Sequence, residues 1–292
     1  MSDQENLGEE ENVEEADPEL GEEEQLGEEE QDEEKELGEE EQEEGKEEEE
    51  KVPENPLTEE TVAECLSLLC KTGDGLSHAY VRLDIHEREI TNIGILKAFI
   101  HLRYLDISKN NIKDLSPLSA LTHLLTLKAD NNLLTSARLD EMPFLQIATF
   151  NHNKINTLEG AANTIKRIEG LGRLSNLTTL HLRDNQLDNF DGFTEDLKML
   201  QYINARGNNI SSLKEMNKLQ VLPLLRALVI SENPVAEEDE YRLEVLISLR
   251  KLERLDKDEY NDDERDEAEQ LYEQRRQEEA NEGGEEENAG ED

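Results

Sequence analysis

An asparagine recurs at a nearly constant interval through the middle of the chain, and each copy closes the same frame of apolar residues. Around Asn110 this frame consists of Leu102, Leu105, Ile107 and Ile112. Regular steps between frames measure roughly 21 to 25 residues, enough for one short strand and a brief return connection. The apolar side chains point inward, and the asparagine satisfies backbone groups that the turn leaves unpaired. The asparagines that close the frames are Asn110, Asn132, Asn153, Asn185, Asn208 and Asn233.

The frame L-x-x-L-x-L-x-x-N-x-L resembles the leucine-rich repeat. This resemblance implies an α/β fold, in which short repeats of roughly 21–25 residues form a solenoid with a parallel sheet on its concave wall. We assign the repeats to residues 80–235. The first repeat is degenerate because Arg88 occupies the asparagine position, one regular step before Asn110. Terminal repeats of a solenoid are often atypical in this way.

Residues 56–79 are predicted to form an N-terminal helical cap, which would cover the open end of the repeat core. Thr58 is suited to the N-cap position, and apolar residues continue at helical spacing to Cys70. Cys65 and Cys70 would then lie on different faces of one helix. We interpret them as reduced, partly buried thiols rather than a disulfide or metal site.

The sequence after the last frame predicts a second cap. Residues 236–257 resemble the C-terminal cap of leucine-rich repeat proteins, in which a helix closes the core and a short last strand joins the sheet. Residues 258–280 are highly charged, with Leu271 and Tyr272 as their only large apolar pair. We therefore expect a single solvent-exposed helix there.

The net charge of −44 is concentrated at the two ends of the chain. Residues 1–51 carry −25 and residues 256–292 carry −14, so the body between them is nearly neutral at −5. Low apolar content and like-charge repulsion predict disordered acidic tails over residues 1–55 and 281–292. The N-terminal tail either solvates the protein or contacts a basic partner, such as a tubulin-binding subunit or a histone.

The acidic balance disfavours direct nucleic-acid binding, because it repels phosphates and no basic stripe stands out. Met1 is followed by acidic residues rather than by a basic and then an apolar stretch, so no signal peptide is expected. No apolar run approaches the roughly 18 residues that a membrane helix needs. We therefore expect a cytoplasmic protein without membrane association.

One step in the repeat array is irregular. Around Asn153 and again around Asn163, only ten residues later, the sequence has the form of the same convex half-repeat, with no strand between the two copies. We assign the irregularity to residues 156–170. Because ten residues cannot complete a coil, we interpret the chain as a shortened form that lacks central repeats, with the junction near Ala161 and Ala162.

No arrangement of residues typical of catalysis or metal binding is found in the sequence. It has no glycine-rich phosphate loop, no G-x-S-x-G elbow and no H-E-x-x-H helix. The histidines are scattered over separate repeats, although His101 and His123 each precede a frame by one residue and could stack. We predict that the protein is not an enzyme and that it has no cofactor and no small-molecule substrate.

The concave wall is the candidate functional surface, because residues between the inward leucines form columns across the repeats. The first column contains Asp84, Asp106, Lys128, Thr149, His181, Asn204 and Val229. The second contains His86, Ser108, Asp130, Asn151, Arg183, Arg206 and Ser231, and the third includes Tyr104, Ile147 and Tyr202. Tyrosine and arginine are common at interface hot spots, whereas an ordinary polar face with cross-strand pairs remains the alternative. The predicted protein-binding residues are Tyr104, Asp106, Lys128, His181, Arg183, Tyr202 and Arg206.

Several stretches go beyond the generic repeat, including residues 66–73, 78–81, 101–104, 121–125 and 177–186. Together they resemble axonemal leucine-rich repeat proteins associated with the radial spokes of motile cilia and sperm flagella. The resemblance implies a scaffold of the axonemal cytoskeleton that binds radial-spoke head subunits and supports cilium and sperm motility. Two alternatives remain open: a phosphatase-regulatory leucine-rich repeat protein, and an acidic nuclear leucine-rich repeat protein that binds histones.

Overall fold

The computed structural model describes residues 52–73, 75–155 and 174–288, with side chains to residue 278. Most of the predicted N-terminal tail, residues 1–51, and the last four residues of the chain lie outside this range. The described chain contains one ten-stranded sheet in which the strands follow their order in the sequence. The strands are β1 (Leu66–Lys71), β2 (His78–Asp84), β3 (Tyr104–Asp106), β4 (Thr126–Lys128), β5 (Ile147–Thr149), β6 (Thr179–His181), β7 (Tyr202–Asn204), β8 (Ala227–Val229), β9 (Arg254–Leu255) and β10 (Asp258–Glu259). The α-helices are α1 (Glu59–Cys65), α2 (Tyr241–Ser248) and α3 (Asp262–Asn288).

The leucine-rich repeat solenoid is confirmed. Strands β2 to β9 are parallel neighbours, and the central apolar residue of each strand is buried beside that of the next, as in the pair Leu105 and Leu127. Short connections on the opposite side contain 3-10 helices, among them Gly94–Ala98, Ser116–Ala120 and Leu213–Val221. Repeats of this length therefore close each coil with a 3-10 turn instead of a full α-helix.

The asparagines form a buried hydrogen-bonded ladder that joins each repeat to the one before it. Asn132 is typical: its Nδ2 donates to the carbonyl of Ala129 at 3.2 Å and to that of Ile107, one repeat earlier, at 3.0 Å. Its Oδ1 accepts from the backbone N–H of Ile112 at 3.0 Å. Asp256 takes this role after the last repeat, because its Oδ1 accepts from the backbone N–H of Ile230 at 2.9 Å. The ladder thus satisfies buried backbone polar groups of the turns.

The N-terminal cap differs from the prediction. Thr58 does cap α1, but the helix ends at Cys65, and the next six residues form β1 instead of more helix. β1 pairs with β2 in an antiparallel hairpin, whose turn contains Gly75 at a φ of 70°. A short apolar run suits either a helix or a strand, and here the unpaired edge of β2 selects the strand. Cys65 and Cys70 are free and half-buried, but they do not share a helix.

The start of the folded body also lies slightly earlier than the predicted boundary at residue 56. The Nδ2 of Asn55 donates to the carbonyl of Arg88 at 2.9 Å, and its backbone N–H donates to Thr91 Oγ1 at 2.9 Å. Asn55 is therefore attached to the first repeat rather than part of the tail.

The C-terminal region contains the predicted helix α2 and the predicted last strand β9, which pairs in parallel with β8. The prediction of one exposed helix over residues 258–280 is wrong in two respects. Residues 258–259 form β10, and α3 begins at Asp262 and continues to Asn288, beyond the predicted tail boundary. One face of α3 is also covered, since Ala268 is buried and Leu271 and Tyr272 pack against the core. A short apolar stripe, together with ion pairs to α2, attaches the helix to the folded body.

The irregular step predicted at residues 156–170 falls within residues 156–173, which lie outside the described residues. Strands β5 and β6 on either side of it are direct parallel neighbours. The ladder also continues across it, because Asn185 Nδ2 donates to the carbonyl of Phe150 at 2.9 Å and its Oδ1 accepts from Ile155 N–H at 3.0 Å. The sheet therefore joins the two parts of the array in one register.

Candidate protein-binding face

The strand register places the three predicted columns on one face of the sheet. Asp84, Asp106 and Lys128 are successive partners in neighbouring strands, and so are Thr179, Tyr202 and Ala227 in the third column. The alternation is set by the buried leucines, since a shift of one residue would turn every polar side chain into the core. The placement of the seven candidate residues on this face agrees with the prediction, while their role in binding remains a prediction.

At the N-terminal end of the face, an aromatic ring and a guanidinium lie together. The Arg82 guanidinium carbon lies 5.4 Å from the centroid of the Tyr104 ring, within the range of a cation–π interaction. Beside them, His86 Nδ1 contacts Asp84 Oδ1. Burial raises the pKa of Asp84, but the hydrogen bond and the charge of His86 outweigh it and hold that pKa below its usual value. The same contact raises the pKa of His86.

The centre of the face contains a half-buried carboxylate. Asp130 accepts a hydrogen bond from Thr149 Oγ1 at 2.8 Å and another from the backbone N–H of Asn151 at 2.7 Å. Burial raises the pKa of Asp130, and these two donors oppose that rise because they favour the charged form. Asp106 and Lys128 lie in adjacent strands at the same register and bring opposite charges to neighbouring positions.

The C-terminal part of the face contains the other aromatic and cationic candidates. The rings of His181 and Tyr202 are tilted against each other, with centroids 5.2 Å apart. Arg183 Nε lies 3.0 Å from Asp184 Oδ2, close enough for charge attraction but without the alignment of a hydrogen bond. The Arg206 guanidinium donates to the Glu232 carboxylate, and this bond holds the pKa of Glu232 below its usual value.

Both candidate arginines are therefore already paired with acids of the same chain. Arg183 and Arg206 are half-buried, and each has a neighbouring carboxylate that a partner must share or displace. Desolvating such a pair reduces the net gain from a new contact. Tyr104 and Tyr202 present half-buried rings that carry no charge, so covering them with a partner would cost less desolvation than covering the arginine pairs.

Three residues of this face were not predicted from the sequence. Arg82 lies at the register position of Tyr104, in the degenerate first repeat, so extending the third column by one repeat would have found it. Tyr80 and Leu69, which pair across the β1–β2 hairpin, extend the surface beyond the array and are about half exposed. Only the β1–β2 hairpin places these two residues on the face, and the prediction of a helix there did not allow for a hairpin.

Within the described residues, no group of three or more histidine, cysteine, aspartate or glutamate side chains is arranged to hold a metal ion. None of the helices in the described chain is both long enough and apolar enough to cross a membrane.

The buried leucine rows, the asparagine ladder and the parallel concave sheet define a leucine-rich repeat protein. A family model described as a leucine-rich repeat matches residues 141–283. More specifically, the chain belongs to the family of leucine-rich repeat-containing protein 23. The Bos taurus protein of that name is 44% identical over 272 aligned positions, which cover 74% of this chain and 80% of that protein. The Homo sapiens protein is 44% identical over 279 positions, which cover 76% of this chain and 81% of that protein.

Among solved structures, the chain is similar to internalin C2 of Listeria monocytogenes, with a TM-score of 0.48 and 23% identity over 60% of this chain and 70% of that chain.

In both alignments, the relative contributes more residues than this chain does. The alignment with the Bos taurus protein has 272 positions, although it covers only 74% of the 292 residues of this chain. Several tens of aligned positions of the relative therefore have no counterpart in this chain, and the Homo sapiens protein gives a similar difference. A difference of this size corresponds to between two and three repeats of roughly 21–25 residues each.

Proposed function

We propose that this chain is a non-enzymatic scaffold of the ciliary and flagellar axoneme, where it binds radial-spoke head subunits through its concave face and supports motility. Family membership and the stretches that resemble axonemal leucine-rich repeat proteins support this assignment. A scaffold needs a rigid surface rather than an active site, and the concave sheet supplies one.

The observation that carries the proposal is that two tyrosine rings on the rigid face each pack against a neighbouring side chain. Tyr104 lies under Arg82, and Tyr202 packs against His181, so each ring is held in one orientation before any partner arrives. Pre-ordered aromatic side chains lose little conformational entropy on binding and bury large areas. The hydrogen-bonded sheet between them fixes their separation, at about 19 Å for four strand spacings.

The missing central repeats bear directly on this function. We infer that the gap in the alignments corresponds to the irregular step between Asn153 and Asn163, where two half-repeats follow each other without a strand. A chain without those repeats presents a shorter concave arc, because each repeat contributes one strand to the sheet. Partners that bind the central repeats of the longer relatives should therefore bind this chain weakly.

The test is recovery of radial-spoke proteins from axonemal extract by the full-length chain carrying Arg183→Glu and Arg206→Glu together. The expected result is strongly reduced recovery, because two cations of the face become anions beside Asp184 and Glu232. The matched control carries Arg138→Glu and Lys198→Glu, which reverse the same number of charges at exposed positions outside the sheet. Undiminished recovery by the concave variant with its fold intact, or recovery of a phosphatase subunit or histones instead, contradicts the proposal.

A further inference from the structure

The β1–β2 end of the solenoid exposes a group of apolar side chains, of which only Leu69 and Tyr80 belong to the extension of the concave face. Of the nine large apolar side chains exposed in the described residues, six lie in or near this end, so the exposure is concentrated rather than scattered. These six are Leu68, Leu69, Leu76, Tyr80, Ile100 and Phe144. Concentrated apolar exposure is typical of an interaction surface.

One of the six, Phe144, lines a groove of about 380 Å³ along the edge where the strands begin, which we call the flank groove. Its floor is mostly apolar and includes Val81, Leu125 and Phe144. The His123 ring stacks on that of Phe144, with centroids 5.7 Å apart. The sequence predicts that His101 stacks on His123, and this is wrong: within the described residues His123 stacks on Phe144, which has the same repeat position one coil later. The full lining is Lys71, Thr72, Gly73, Ala79, Val81, His101, Arg103, His123, Leu125 and Phe144.

The flank groove differs in charge from the rest of the molecule. Lys71, Arg103, His101 and His123 contribute nitrogen donors to the lining, and no lining residue is acidic. The whole chain has a net charge of −44, so a rim with fixed cations and without carboxylates is a local exception. An apolar floor with a cationic rim is complementary to a segment that combines an apolar side chain with carboxylates.

Two other modes of binding fit less well. Leu68 in the edge strand β1 has a φ of 58°, which interrupts the regular strand, and such irregularities protect an edge from pairing with another strand. Nucleic acid would bring dense phosphate charge to a strongly acidic protein, and its backbone offers nothing for the apolar floor. The groove therefore fits side chains of a peptide better than an added strand or a nucleic acid.

We propose that the flank groove is a second protein-binding site, separate from the concave face, and that it takes an acidic peptide segment of a partner with one large apolar or aromatic anchor. The anchor packs on Phe144 and Leu125. The adjacent carboxylates accept hydrogen bonds from Arg103 and Lys71. The site thus selects a partner segment that has both carboxylates and a large apolar side chain.

The proposal can be tested with the full-length chain and three short fluorescent peptides, using anisotropy to measure affinity. The first peptide carries glutamates around one phenylalanine, the second has glutamine in place of each glutamate, and the third has serine in place of the phenylalanine. The first should bind, and each of the other two should bind about tenfold more weakly or less, since charged hydrogen bonds and anchor burial are each of that size.

Protein variants assign the binding to the groove. Arg103→Glu and Phe144→Ser should each weaken the first peptide about tenfold or more. The matched controls are Arg226→Glu and Met199→Ser, which lie at the same repeat positions near the other end and should bind as the unchanged chain does. Phe144→Leu keeps an apolar side chain in the groove and should retain binding. Retained binding in this variant would show that a change at position 144 does not by itself unfold the protein.

Equal binding by the groove and control variants, or equal affinity for the glutamate and glutamine peptides, overturns the proposal. Binding of an RNA oligonucleotide or of anionic vesicles in preference to the first peptide also overturns it. The concave variant with Arg183→Glu and Arg206→Glu should bind the peptide normally, so failure here is distinguishable from failure of the scaffold function.

Discussion

At the residue scale, the turn after each strand contains two neighbouring positions, one that requires a particular side chain and one that requires a particular backbone conformation. The asparagine is buried and hydrogen-bonded, and the residue before it adopts a left-handed backbone, as at Lys109, Asp184 and Gly207. The asparagine could be predicted from its period alone. The left-handed position could not, because Lys, Glu and His occupy it as well as Asn, Asp and Gly, so the strain there is outweighed by the ladder.

Asn208→Ala should destabilise the protein by about 3 kcal/mol, because backbone groups of two repeats lose a side-chain partner in a buried turn. In the native structure Asn208 Nδ2 donates to the carbonyls of Leu182 and Ala205, both at 2.9 Å, and its Oδ1 accepts from Leu187 N–H at 3.0 Å. The free energy of unfolding in urea measures the effect. Asn209→Ala, at the exposed neighbouring position, is the control, and an equal loss in both variants would argue against the ladder.

Gly207→Ala should also be destabilising, for two separable reasons. Gly207 has a φ of 65°, and an added Cβ would lie 2.1 Å from Asp184 Oδ1. The left-handed backbone alone costs about 1–2 kcal/mol with a side chain. In an Asp184→Ala background the clash is removed, so the same substitution should cost less there. A double-mutant cycle from urea unfolding measures the difference, and strict additivity would contradict this explanation.

At the element scale, the regular repeats were predictable and the caps were predictable only in part. Strand register across β2 to β9 followed from the apolar period, since a shift would bury the polar columns. The secondary structure of residues 66–71 could not be predicted from the sequence. A short apolar run fits a helix as well as a strand until the free edge of β2 is known. The attachment of α3 was missed for a related reason, since its apolar stripe is short and is supplemented by ion pairs.

These ion pairs cross between α2 and α3 in both directions. Arg242 of α2 pairs with Glu264 of α3, while Arg275 of α3 donates to Glu244 of α2 at 2.6 Å. The hydrogen bonds from the two arginines hold the pKa values of Glu264 and Glu244 below their ordinary value. A cation–π contact adds to the docking, with the Arg250 guanidinium 4.4 Å from the Tyr272 ring centroid.

Docking of α3 should therefore weaken in acid. Because the folded-state pKa values of both glutamates are lowered, their stabilisation is present above the ordinary pKa of about 4.3 and is lost as the pH falls through the folded-state values. Hydrogen exchange of the α3 amides at neutral and acidic pH measures the docking. Glu244→Gln with Glu264→Gln should lower the protection factors of these amides at neutral pH and make those factors less dependent on pH. The exposed Glu267→Gln is the control, and unchanged exchange in the double variant contradicts the prediction.

At the scale of the whole molecule, the strands form one surface whose length depends on how many repeats the array contains. Strands β5 and β6 pair directly, so the sheet of this chain is continuous between the two parts of the array. Sequence analysis found the irregular step because an interruption stands out clearly against a regular period. What the shortening does to binding could not be derived, since it depends on which repeats a partner contacts.

Tryptic peptides from the source tissue test the shortening. Cleavage after Lys154 and Lys166 releases residues 155–166, a peptide that spans the junction and exists only in the shorter chain. We expect peptides of additional central repeats from a longer protein to be found at this point. Detection of the junction peptide together with a complete absence of additional-repeat peptides would contradict the interpretation of a shortened form.

The most direct test of the scaffold function is the fraction of tagged full-length chain retained in demembranated axonemes of motile cilia. We expect the native chain to remain with the axoneme. The variant with Arg183→Glu and Arg206→Glu should be released, while the control with Arg138→Glu and Lys198→Glu should be retained. Localisation of the native chain to the nucleus or the soluble cytosol, or equal retention of the concave variant and its control, would contradict the scaffold function.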